Sequence, residues 1–550
     1  MKYSYRSSLL LRFRKILERE REREELRSSG TEIKKEKKRR LKMAGGIISS
    51  NNAKVYPGRV TVFMFLAGIM AASCGLMFGY DIGISGGVTS MDVFLKKFFP
   101  SVYMKKQAAS SHQNNYCKFD SQLLTLFTSS LYIAGLIASI LASYASRRFG
   151  RRLTMLSGGA IYLIGAGFNG GANAVWMLIV GRLLLGGGIG LVIQAAPMFL
   201  SEIAPPKKRG LWNSGFQLAI TIGIFVANLV NYGTSKLKGD VGWRLSLGLA
   251  GVPGVIVFVG TFFLPESPNS LIERGEEGKA LAMLKRIRGV EDVNEEFADL
   301  LEASEASKKV KHPWRVIVSR KYRPQFVMTL LIPFFQQLTG INVVMFYAPV
   351  LFQTLGFKND ASLMSAMITG GVNVGATLVA FYVVDRFGRR ILFFEGGIQM
   401  LVSQVAIGIV LWAKFGTATT LSTVWAIVVV LLICIYTAAF AWSWGPLGWL
   451  VPSEIFQLEI RSAGVAINAS VNLLMTFVVA QAFLPALCHV KFGLFFIFAV
   501  ILIIMTAFVF FLLPETRNIP IEDVPKIFNK HSFWKRYASN EEEERGRNTT

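Results

Sequence analysis

Long runs of apolar residues, separated by short polar loops, dominate the pattern of this chain. Most runs reach about 20 residues, the length that an α-helix needs to cross roughly 30 Å of hydrocarbon. We predict twelve spans, at about 60–86, 121–144, 153–173, 175–201, 211–231, 243–264, 324–353, 362–384, 391–413, 421–450, 463–484 and 491–513. The pattern therefore predicts an all-α membrane protein with twelve transmembrane helices.

Three short motifs occur twice, in the same order and at similar distances. Arg148–Arg152 (RFGRR) returns 238 positions later, Ser201–Ile203 (SEI) returns 252 positions later, and Pro265–Ser267 (PES) returns 249 positions later as PET. A duplicated unit explains this order, and six spans fall in each copy. We predict two six-helix pseudo-repeats, residues 60–264 and 323–513.

Polar segments outside the spans define the remaining domains. Residues 265–322 are rich in Glu, Lys and Arg, so we expect an intracellular linker of short amphipathic helices. Residues 88–120 mix apolar positions with lysines and predict a lid on the external face. The basic extension 1–59 is expected to be disordered, and its residues 1–42, before Met43, to have no role in transport. Residues 514–550 form a C-terminal tail.

The distribution of charge sets the orientation. The net charge is +25, and Lys and Arg cluster in loops that share one face with both termini when twelve spans are counted. This positive-inside pattern predicts that this face, with both termini, is cytoplasmic. It records orientation, so we expect no nucleic-acid partner. The mean hydropathy of +0.43 agrees with a chain whose partner is the lipid bilayer.

A carboxylate within a membrane span costs free energy, so its presence indicates a structural or functional role. Asp81 lies deep in the first span, and Arg182 opens the fourth. Burial favours the neutral form of a carboxyl, whereas a nearby guanidinium favours the charged form. Asp81 is therefore a candidate proton-coupling site with Arg182 as its partner. A static ion pair that only fixes helix packing explains the same two residues equally well.

A second polar set within the spans is uncharged. Amides donate and accept hydrogen bonds, as a sugar requires, and an aromatic face suits the apolar side of a sugar ring. Amides also join helices in lipid, and for a single residue that explanation is preferred. Their number across several spans favours a ligand site made of Gln217, Gln336, Gln337, Asn342, Asn373 and Asn472, with Phe78, Trp449 and, as further candidates, Trp442 or Trp444.

The repeated motifs place basic and acidic residues at the cytoplasmic ends of the spans. Ion pairs among them would hold the inside closed while the outside is open, although the arginines also serve as simple orientation signals. The gating candidates are Arg151, Arg152, Glu202 and Glu266 in the first half and Arg389, Arg390, Glu454 and Glu515 in the second.

The chain contains four cysteines, which is too few for a disulfide scaffold. Cys117 precedes the second span and Cys488 follows the eleventh, so both are predicted to face outside, where we expect them to pair and tie the lid to the second half. The sequence shows neither a metal-ligand cluster nor a nucleophile–base arrangement. We therefore expect no enzyme, no metal and no cofactor other than the proton as coupling ion.

These motifs resemble those of the sugar porter branch of the major facilitator superfamily over about residues 43–525. The resemblance rests on RFGRR at 386–390, PESP at 265–268, QQLTGIN at 336–342 and PET at 514–516. Within that branch, FGYD at 78–81, NYCK at 115–118 and WGPLGW at 444–449 resemble the plant monosaccharide–proton symporters.

The resemblance implies roles for individual residues. It implies that Asp81 carries the proton beside Arg182, that Phe78 and Ile82 link the proton and sugar sites, and that Cys117–Cys488 is the lid disulfide. Sugar contacts would come from Gln217, Gln336, Gln337, Asn342, Asn373, Trp449 and Asn472. Two positions depart from the pattern of the family. Arg147 stands where an Asp is frequent, and Gln457 where a proline is common.

We predict a proton-coupled symporter that imports monosaccharides, such as glucose, by alternating access. We expect it in the plasma membrane and active as a monomer. One alternative is a uniporter of the same fold, in which Asp81 is structural. Another is a non-transporting sugar sensor, which the short C-terminal tail disfavours.

Overall fold

Every predicted span is a helix, or a pair of consecutive helices, in the described part of the chain. The computed structural model describes residues 58–108, 117–205, 209–309, 313–354, 357–415, 422–517 and 524–535. The predictions for 1–57 and for the end of the tail, 536–550, lie outside these residues. All described residues belong to one unit, residues 54–550.

The first half contains six spans and the lid. Its spans are α1 (Val62–Ser90), α4 (Gln122–Phe149), α5 (Arg151–Gly170), α6 (Val175–Ile203), α7 (Arg209–Thr234) and the pair α8 (Val241–Gly248) and α9 (Gly251–Phe263). The lid helices α2 (Asp92–Phe98) and α3 (Pro100–Ala108) follow α1.

The linker and the second half follow. The linker contains α10 (Pro268–Glu273), α11 (Glu277–Arg288), α12 (Asn294–Lys309), α13 (Pro313–Val316) and a 3₁₀ turn (Arg320–Tyr322). The spans are α14 (Arg323–Leu338) with α15 (Ile341–Thr354), α16 (Asn359–Phe387), α17 (Arg389–Phe415), α18 (Thr423–Trp442) with α19 (Trp444–Ile455), α20 (Leu458–Val490) and α21 (Gly493–Leu512); α22 (Val524–Lys530) lies in the tail.

Eleven spans of the described chain are long and apolar enough to cross a membrane by length and composition. The twelfth, α5, begins with two arginines and contains Asn169 and five glycines, which lower its hydropathy. Several helices extend beyond their predicted ends, including α4, which continues to Phe149, and α19, which continues to Ile455. α1 continues to Ser90, and α20 continues to Val490, so that Cys488 lies in its last turn and not after it.

The first span connects the two faces of the molecule. Thr61 caps the N-terminus of α1, and its hydroxyl also donates a hydrogen bond to the carbonyl oxygen of Ile287 in α11 at 3.0 Å. The other end of α1 leads into the lid. We call the two faces the linker face and the lid face.

Two spans of the second half are interrupted where polar residues gather. The seventh span breaks at Thr339 and Gly340, and Gly340 has a φ of +89°, a left-handed conformation that glycine adopts without strain. The tenth span breaks at Ser443. Pro446 lies in the first turn of α19, where proline is tolerated.

The two halves contact each other along several pairs of helices. Within the first half, α1 packs extensively on α7, and α6 packs on α4 and α5. Across the halves, α4 packs on α20, α7 on α16, and α1 on α15. The interface between the halves is therefore formed mainly by α1, α4 and α7 on one side and α15, α16 and α20 on the other.

Candidate functional site

A buried ion pair joins the first and fourth spans. Asp81 on α1 and Arg182 on α6 have side chains that are each 1% exposed. Arg182 Nη1 lies 3.4 Å from Asp81 Oδ1, and Arg182 Nη2 donates to Ser85 Oγ at 3.0 Å. Asp81 Oδ2 makes no well-formed hydrogen bond among the described residues, although the Tyr162 hydroxyl interacts with this carboxylate. The carboxylate is therefore only half satisfied, which is costly for a buried charge.

Aromatic side chains lie between this pair and the lid. The guanidinium carbon of Arg182 is 4.4 Å from the ring centroid of Phe127 on α4. Phe94 of the lid packs against Phe127 at 5.5 Å and against Trp243 at 5.8 Å between ring centroids. The lid thus covers the ion pair with a layer of apolar rings, which keeps its local dielectric low.

Two connections fasten the lid to the spans. Cys117, after the lid helices, forms a disulfide with Cys488 of α20, and their Cα atoms are 4.5 Å apart. Lys97 of α2 pairs with Asp240, next to α8. The hydrogen bond from Lys97 holds the pKa of Asp240 below its ordinary value. The disulfide links the lid to the second half, and the ion pair links it to the first.

Amides of the second half form a connected layer at the break of the seventh span. Gln336 Nε2 donates to the carbonyl oxygen of Trp444 at 2.8 Å, and Asn472 Nδ2 donates to Gln336 Oε1 at 2.8 Å. Asn342 donates to Gln337 Oε1. Thus α14, α15, α19 and α20 meet through side-chain amides that are at most 7% exposed.

This layer keeps spare hydrogen-bonding capacity. Asn472 Oδ1 and Asn373 Oδ1 are buried without a hydrogen-bond partner within the described chain. The Asn373 amide nitrogen donates a weak hydrogen bond to Met345 Sδ at 3.6 Å. Buried amides that only join helices normally pair both atoms, so a ligand with hydroxyl groups would suit this layer.

The first half contributes the other side of the site. Gln217 of α7 approaches the tenth span closely, since a Cβ added to Gly445 would lie 3.2 Å from Gln217 Nε2. Trp449 of α19 meets Phe216 edge to face, with ring centroids 5.9 Å apart. Phe78 and Ile82, next to Asp81 on α1, are 6% and 5% exposed.

Two other tryptophans considered for the sugar site have different partners. Trp444 Nε1 donates to the carbonyl oxygen of Phe393 at 3.0 Å, and its ring packs on that of Phe393. Trp442 Nε1 donates to Glu395 at 3.0 Å. Both rings are engaged with α17, so Trp449 is the tryptophan that lies between the halves.

The first RFGRR motif folds against acidic residues on the linker face. Arg151 Nη2 is 2.8 Å from Glu202 Oε1, and Arg151 Nη1 is 2.6 Å from Glu273 Oε2 of α10. Glu266 accepts hydrogen bonds from the backbone N–H groups of Arg151, at 3.0 Å, and Arg152, at 3.3 Å. Glu266 therefore satisfies donors that the N-terminus of α5 leaves free.

The second motif repeats this arrangement. Arg389 Nη2 is 2.8 Å from Glu454 Oε1 and 3.2 Å from Asp385 Oδ1. Glu515 accepts from the backbone N–H groups of Arg389, at 2.9 Å, and Arg390, at 3.0 Å. The duplicated motifs thus form duplicated sites.

The last arginine of each motif, Arg152 or Arg390, has no carboxylate partner among the described residues, contrary to our expectation of ion pairs for all four arginines. Arg152 donates to the carbonyl oxygen of Phe262, and Arg390 Nη2 donates to that of Phe510 at 2.7 Å. Both carbonyls belong to the last turn of a span, where the helix leaves its acceptors unpaired. These arginines therefore fasten helix ends.

Each network lies within its own half, apart from the linker. Arg461, at the start of α20 in the second half, interacts electrostatically with Glu202 and Glu273. Burial raises the pKa of Glu273, but the charge and the hydrogen bond of Arg151 outweigh it and hold this pKa below its ordinary value. The two halves are thereby coupled at the linker face.

Sequence reasoning missed several neighbours of the site. Ser85 lies four residues after Asp81 and so on the same helix face, a spacing that could have revealed it. Glu273 and Arg461 carry charge near motif residues, but their sequence neighbourhood does not indicate a partner. Phe127 gives no signal among the many phenylalanines. Within the described ranges, no three His, Cys, Asp or Glu side chains lie together as a metal site would require.

Two six-helix halves that enclose a buried ion pair and an amide layer define a transporter of the major facilitator fold. The family model "Sugar (and other) transporter" matches residues 67–528. The chain belongs to this family, and it is a transporter and not an enzyme.

Relatives and a solved structure agree with this family. The chain is 61% identical to sugar carrier protein C of Ricinus communis, over 90% of this chain and 96% of that protein. It is 58% identical to sugar transport protein 1 of Arabidopsis thaliana, over 91% of this chain and 96% of that protein. The fold is similar to the structure of the proton:xylose symporter XylE bound to 6-bromo-6-deoxy-D-glucose, with a TM-score of 0.73 and 26% sequence identity. The match covers 85% of this chain and 100% of the XylE chain.

Proposed function

We propose that the chain is a proton-coupled symporter that imports monosaccharides, such as glucose, by alternating access. The observation that carries the proposal is a half-satisfied ion pair, Asp81–Arg182, buried in the same bundle as a layer of amides with unpaired oxygens. The plant sugar carriers and the proton:xylose symporter that the chain resembles support both parts of it.

The proton step acts on a weak contact. The 3.4 Å separation of Asp81 and Arg182 is longer than the 2.8 Å of Arg151 and Glu202. A proton on Asp81 removes its attraction to Arg182, which keeps Ser85 and the Phe127 ring as partners. The Phe127 ring on α4 keeps Arg182 in place, while the link from Arg182 to α1 is reduced from an ion pair to the hydrogen bond with the uncharged Ser85 hydroxyl, which makes movement of α1 relative to α6 easier. The carboxyl of Asp81 is neutral when it separates from Arg182, and the guanidinium charge keeps the Ser85 hydroxyl and the Phe127 ring as its partners.

The sugar step uses the amide layer. Sugar hydroxyls would pair with the free oxygens of Asn373 and Asn472 and compete for the amides of Gln336, Gln337 and Asn342. Gln217 would complete the ring of polar groups from the first half, and Trp449 would offer its face to the C–H side of the sugar. Because the ligand contacts both halves, its binding favours their closure around it.

The linker face is the cytoplasmic face in this proposal, with both termini on that side and the protein acting as a monomer in the plasma membrane. The arginines of both motifs lie there, as the positive-inside pattern requires. The gates are the Arg151 and Arg389 networks. For the gates to open, the linker must separate from Arg461 of the second half. The linker is held at the first gate by the ion pair of Glu273 with Arg151.

The test measures proton movement with sugar. In a transport-null yeast host that expresses the chain, added glucose should make the medium more alkaline and should accumulate in the cells against its concentration gradient. Asp81→Asn should abolish both, because the side chain can no longer bind and release a proton. Glu395→Gln is a matched control, since Glu395 is a carboxylate in a span whose partner is Trp442 and which lies outside the pair. It should leave coupling intact.

Each alternative has its own result. A uniporter would take up labelled glucose without alkalinisation, and Asp81→Asn would not change the direction of net flux. A sensor would show no uptake of labelled glucose at all. Competition of this uptake by galactose, fructose, mannose and xylose would then define the preferred sugar.

A further inference from the structure

A second layer of buried polar residues lies between the amide layer and the linker face. We define this second polar layer as Gln194 on α6, Asn213 on α7, Ser453 on α19 and Asn468 on α20. Each of these side chains is at most 4% exposed. None of them is part of the site described above, and none is needed for the ion-pair networks of the gates.

The layer repeats the sugar site one helical turn closer to the linker face. Asn213 precedes Gln217 by four residues, and Asn468 precedes Asn472 by four, on helices that begin at that face. Ser453 follows Trp449 by four residues on α19, which ends at that face. Residues four apart share a helix face and lie about 6 Å apart along the axis. Three of the four residues thus stand directly below residues of the sugar site.

The layer joins the two halves in this structure. Asn213 Nδ2 donates to Ser453 Oγ at 3.1 Å, and Gln194 Nε2 donates to the carbonyl oxygen of Ser462 at 3.1 Å. Asn468 Nδ2 donates to the carbonyl oxygen of Gly448 at 3.4 Å. The first two bonds cross between the halves, so they must break when the linker face opens.

The layer also has acceptors to spare. Asn213 Oδ1, Gln194 Oε1 and Asn468 Oδ1 are buried without a hydrogen-bond partner among the described residues. The sugar site shows the same feature at Asn472 Oδ1 and Asn373 Oδ1. Unpaired acceptors in a buried site suit a ligand that brings hydroxyl donors.

We infer that the second polar layer is a transient binding site for the same class of ligand, a polyhydroxylated sugar, on its way from the sugar site to the linker face. When the halves part on that side, Asn213, Gln194 and Ser453 lose their partners across the interface, and sugar hydroxyls replace them one turn below the first site. The inference rests on the proposed function, because it needs a transported sugar.

The test compares sugar affinity from the two faces. The full-length protein is reconstituted in liposomes, and the half-saturating D-glucose concentration is measured for transport that starts from the linker face and for transport that starts from the lid face. Asn213→Ala and Asn468→Ala should each raise the linker-face value about three- to tenfold, as expected for lost hydrogen bonds. In Asn468→Ala the lid-face value should stay within about twofold, because the first site is intact and the bond from Asn468 to Gly448 lies within the second half.

If the layer only seals the interface between the halves, the linker-face half-saturating concentration should change in the opposite direction. Loss of the seal would favour the state that is open to the linker face, so the linker-face value would fall and the lid-face value would rise. That result, or no change from the linker face in either variant, overturns the inference. A wild type without saturable glucose transport refutes the proposed function instead.

Asn228→Ala is the matched control. Asn228 is a buried amide on the same helix, α7, and Asn228 Nδ2 also donates across the halves, to the carbonyl oxygen of Ala366 at 3.3 Å. It lies nearer the lid face, so its removal reports the loss of a bond across the halves alone and should change the linker-face and lid-face values in opposite directions. Loss of a sugar contact in the second polar layer should instead change the linker-face value alone. The thermal unfolding temperature of each variant in detergent excludes loss of folded protein as the cause.

Discussion

The two RFGRR sites share one backbone arrangement but recruit their second carboxylate from different elements. In the second half, Asp385 stands directly before the motif and pairs with Arg389 at 3.2 Å. In the first half, Arg147 occupies that position, and Glu273 of the linker pairs with Arg151 at 2.6 Å. The missing acidic residue is therefore supplied from outside the six-helix repeat, which fixes the linker to the first half.

Burial also differs between the two sites. The side chains of Arg151 and Glu202 are 2% and 0% exposed, whereas Asp385 is 37% exposed. Ion pairs near water are screened, whereas removing one partner of a buried pair strands a charge. The comparison teaches that duplication preserved the backbone caps, while tertiary context decided how strong each ion pair is.

Removal of the guanidinium should cost more in the first site. Arg151→Met leaves Glu202 buried without its partner, and we expect the free energy of unfolding to fall by about 3–5 kcal/mol. Arg389→Met should cost about 1–3 kcal/mol, since the carboxylates around it reach solvent. Unfolding of both purified variants in one detergent gives the comparison. Equal losses would mean that the difference in burial has no energetic weight.

Glu273→Gln tests the partner that only the first site has. We expect a loss of about 1.5–3 kcal/mol, against less than about 1 kcal/mol for the control Asp385→Asn. The pKa of Glu273 lies below its ordinary value, so its contribution is present above about pH 4.3 and is lost as the pH falls further. Thermal unfolding of wild type and variant should therefore differ by a constant amount near neutral pH and converge in acid. A difference that grows in acid would contradict this sign.

The glycine before each helix tests what the two sites share. Gly150 and Gly388 have φ of +94° and +97°, and a Cβ at Gly388 would lie 2.6 Å from Glu515 Oε2. Gly275→Ala is the control, since Gly275 has a φ of +81° and open space around it. The control should cost about 1–2 kcal/mol from backbone strain alone. Gly150→Ala and Gly388→Ala should each lower the free energy of unfolding, measured by chemical denaturation, by more than the control does. Equal losses in all three variants would exclude a role for the carboxylate contact.

The smallest expected difference in stability between the two sites concerns the hydroxyl that donates a hydrogen bond to the glutamate of each SEI motif. Ser267 Oγ donates to Glu202, and Thr516 Oγ1 donates to Glu454 at 3.2 Å. Ser267→Ala should lower the free energy of unfolding by about 1–1.5 kcal/mol and Thr516→Ala by somewhat less, because the second site is more exposed. Thr516→Ser keeps the hydroxyl and should behave as wild type in the same assay. A larger loss at Thr516 would reverse the ranking of the two sites.

The fold followed from the sequence more completely than the site did. The repeat and the apolar runs gave twelve spans, a linker and a lid, although helix ends such as Val490 extended beyond the apolar run. A helix can continue past the hydrocarbon as long as its backbone hydrogen bonds do, so hydropathy alone cannot locate its last residue.

Several pairings within the site were not available from the sequence. Asp81 and Arg182 stood out because charge is costly in lipid, and the structure brings them together across 101 positions. Arg152 looked equivalent to Arg151, yet it binds a carbonyl of α9 while Arg151 binds two carboxylates. The second polar layer also escaped notice, because an isolated Asn or Ser within a span gives no signal of its own.

The number of helices that cross the membrane, their approximate places in the chain and the repetition of one six-helix unit follow from the sequence alone. The thickness of the bilayer and the rise of an α-helix translate directly into the length of an apolar run. Only the tertiary structure decided which polar side chains meet, which carboxylate serves Arg151 and which amide oxygens remain unpaired. Those outcomes depend on the rotation and approach of helices that are far apart in the chain, and no local pattern of residues encodes them.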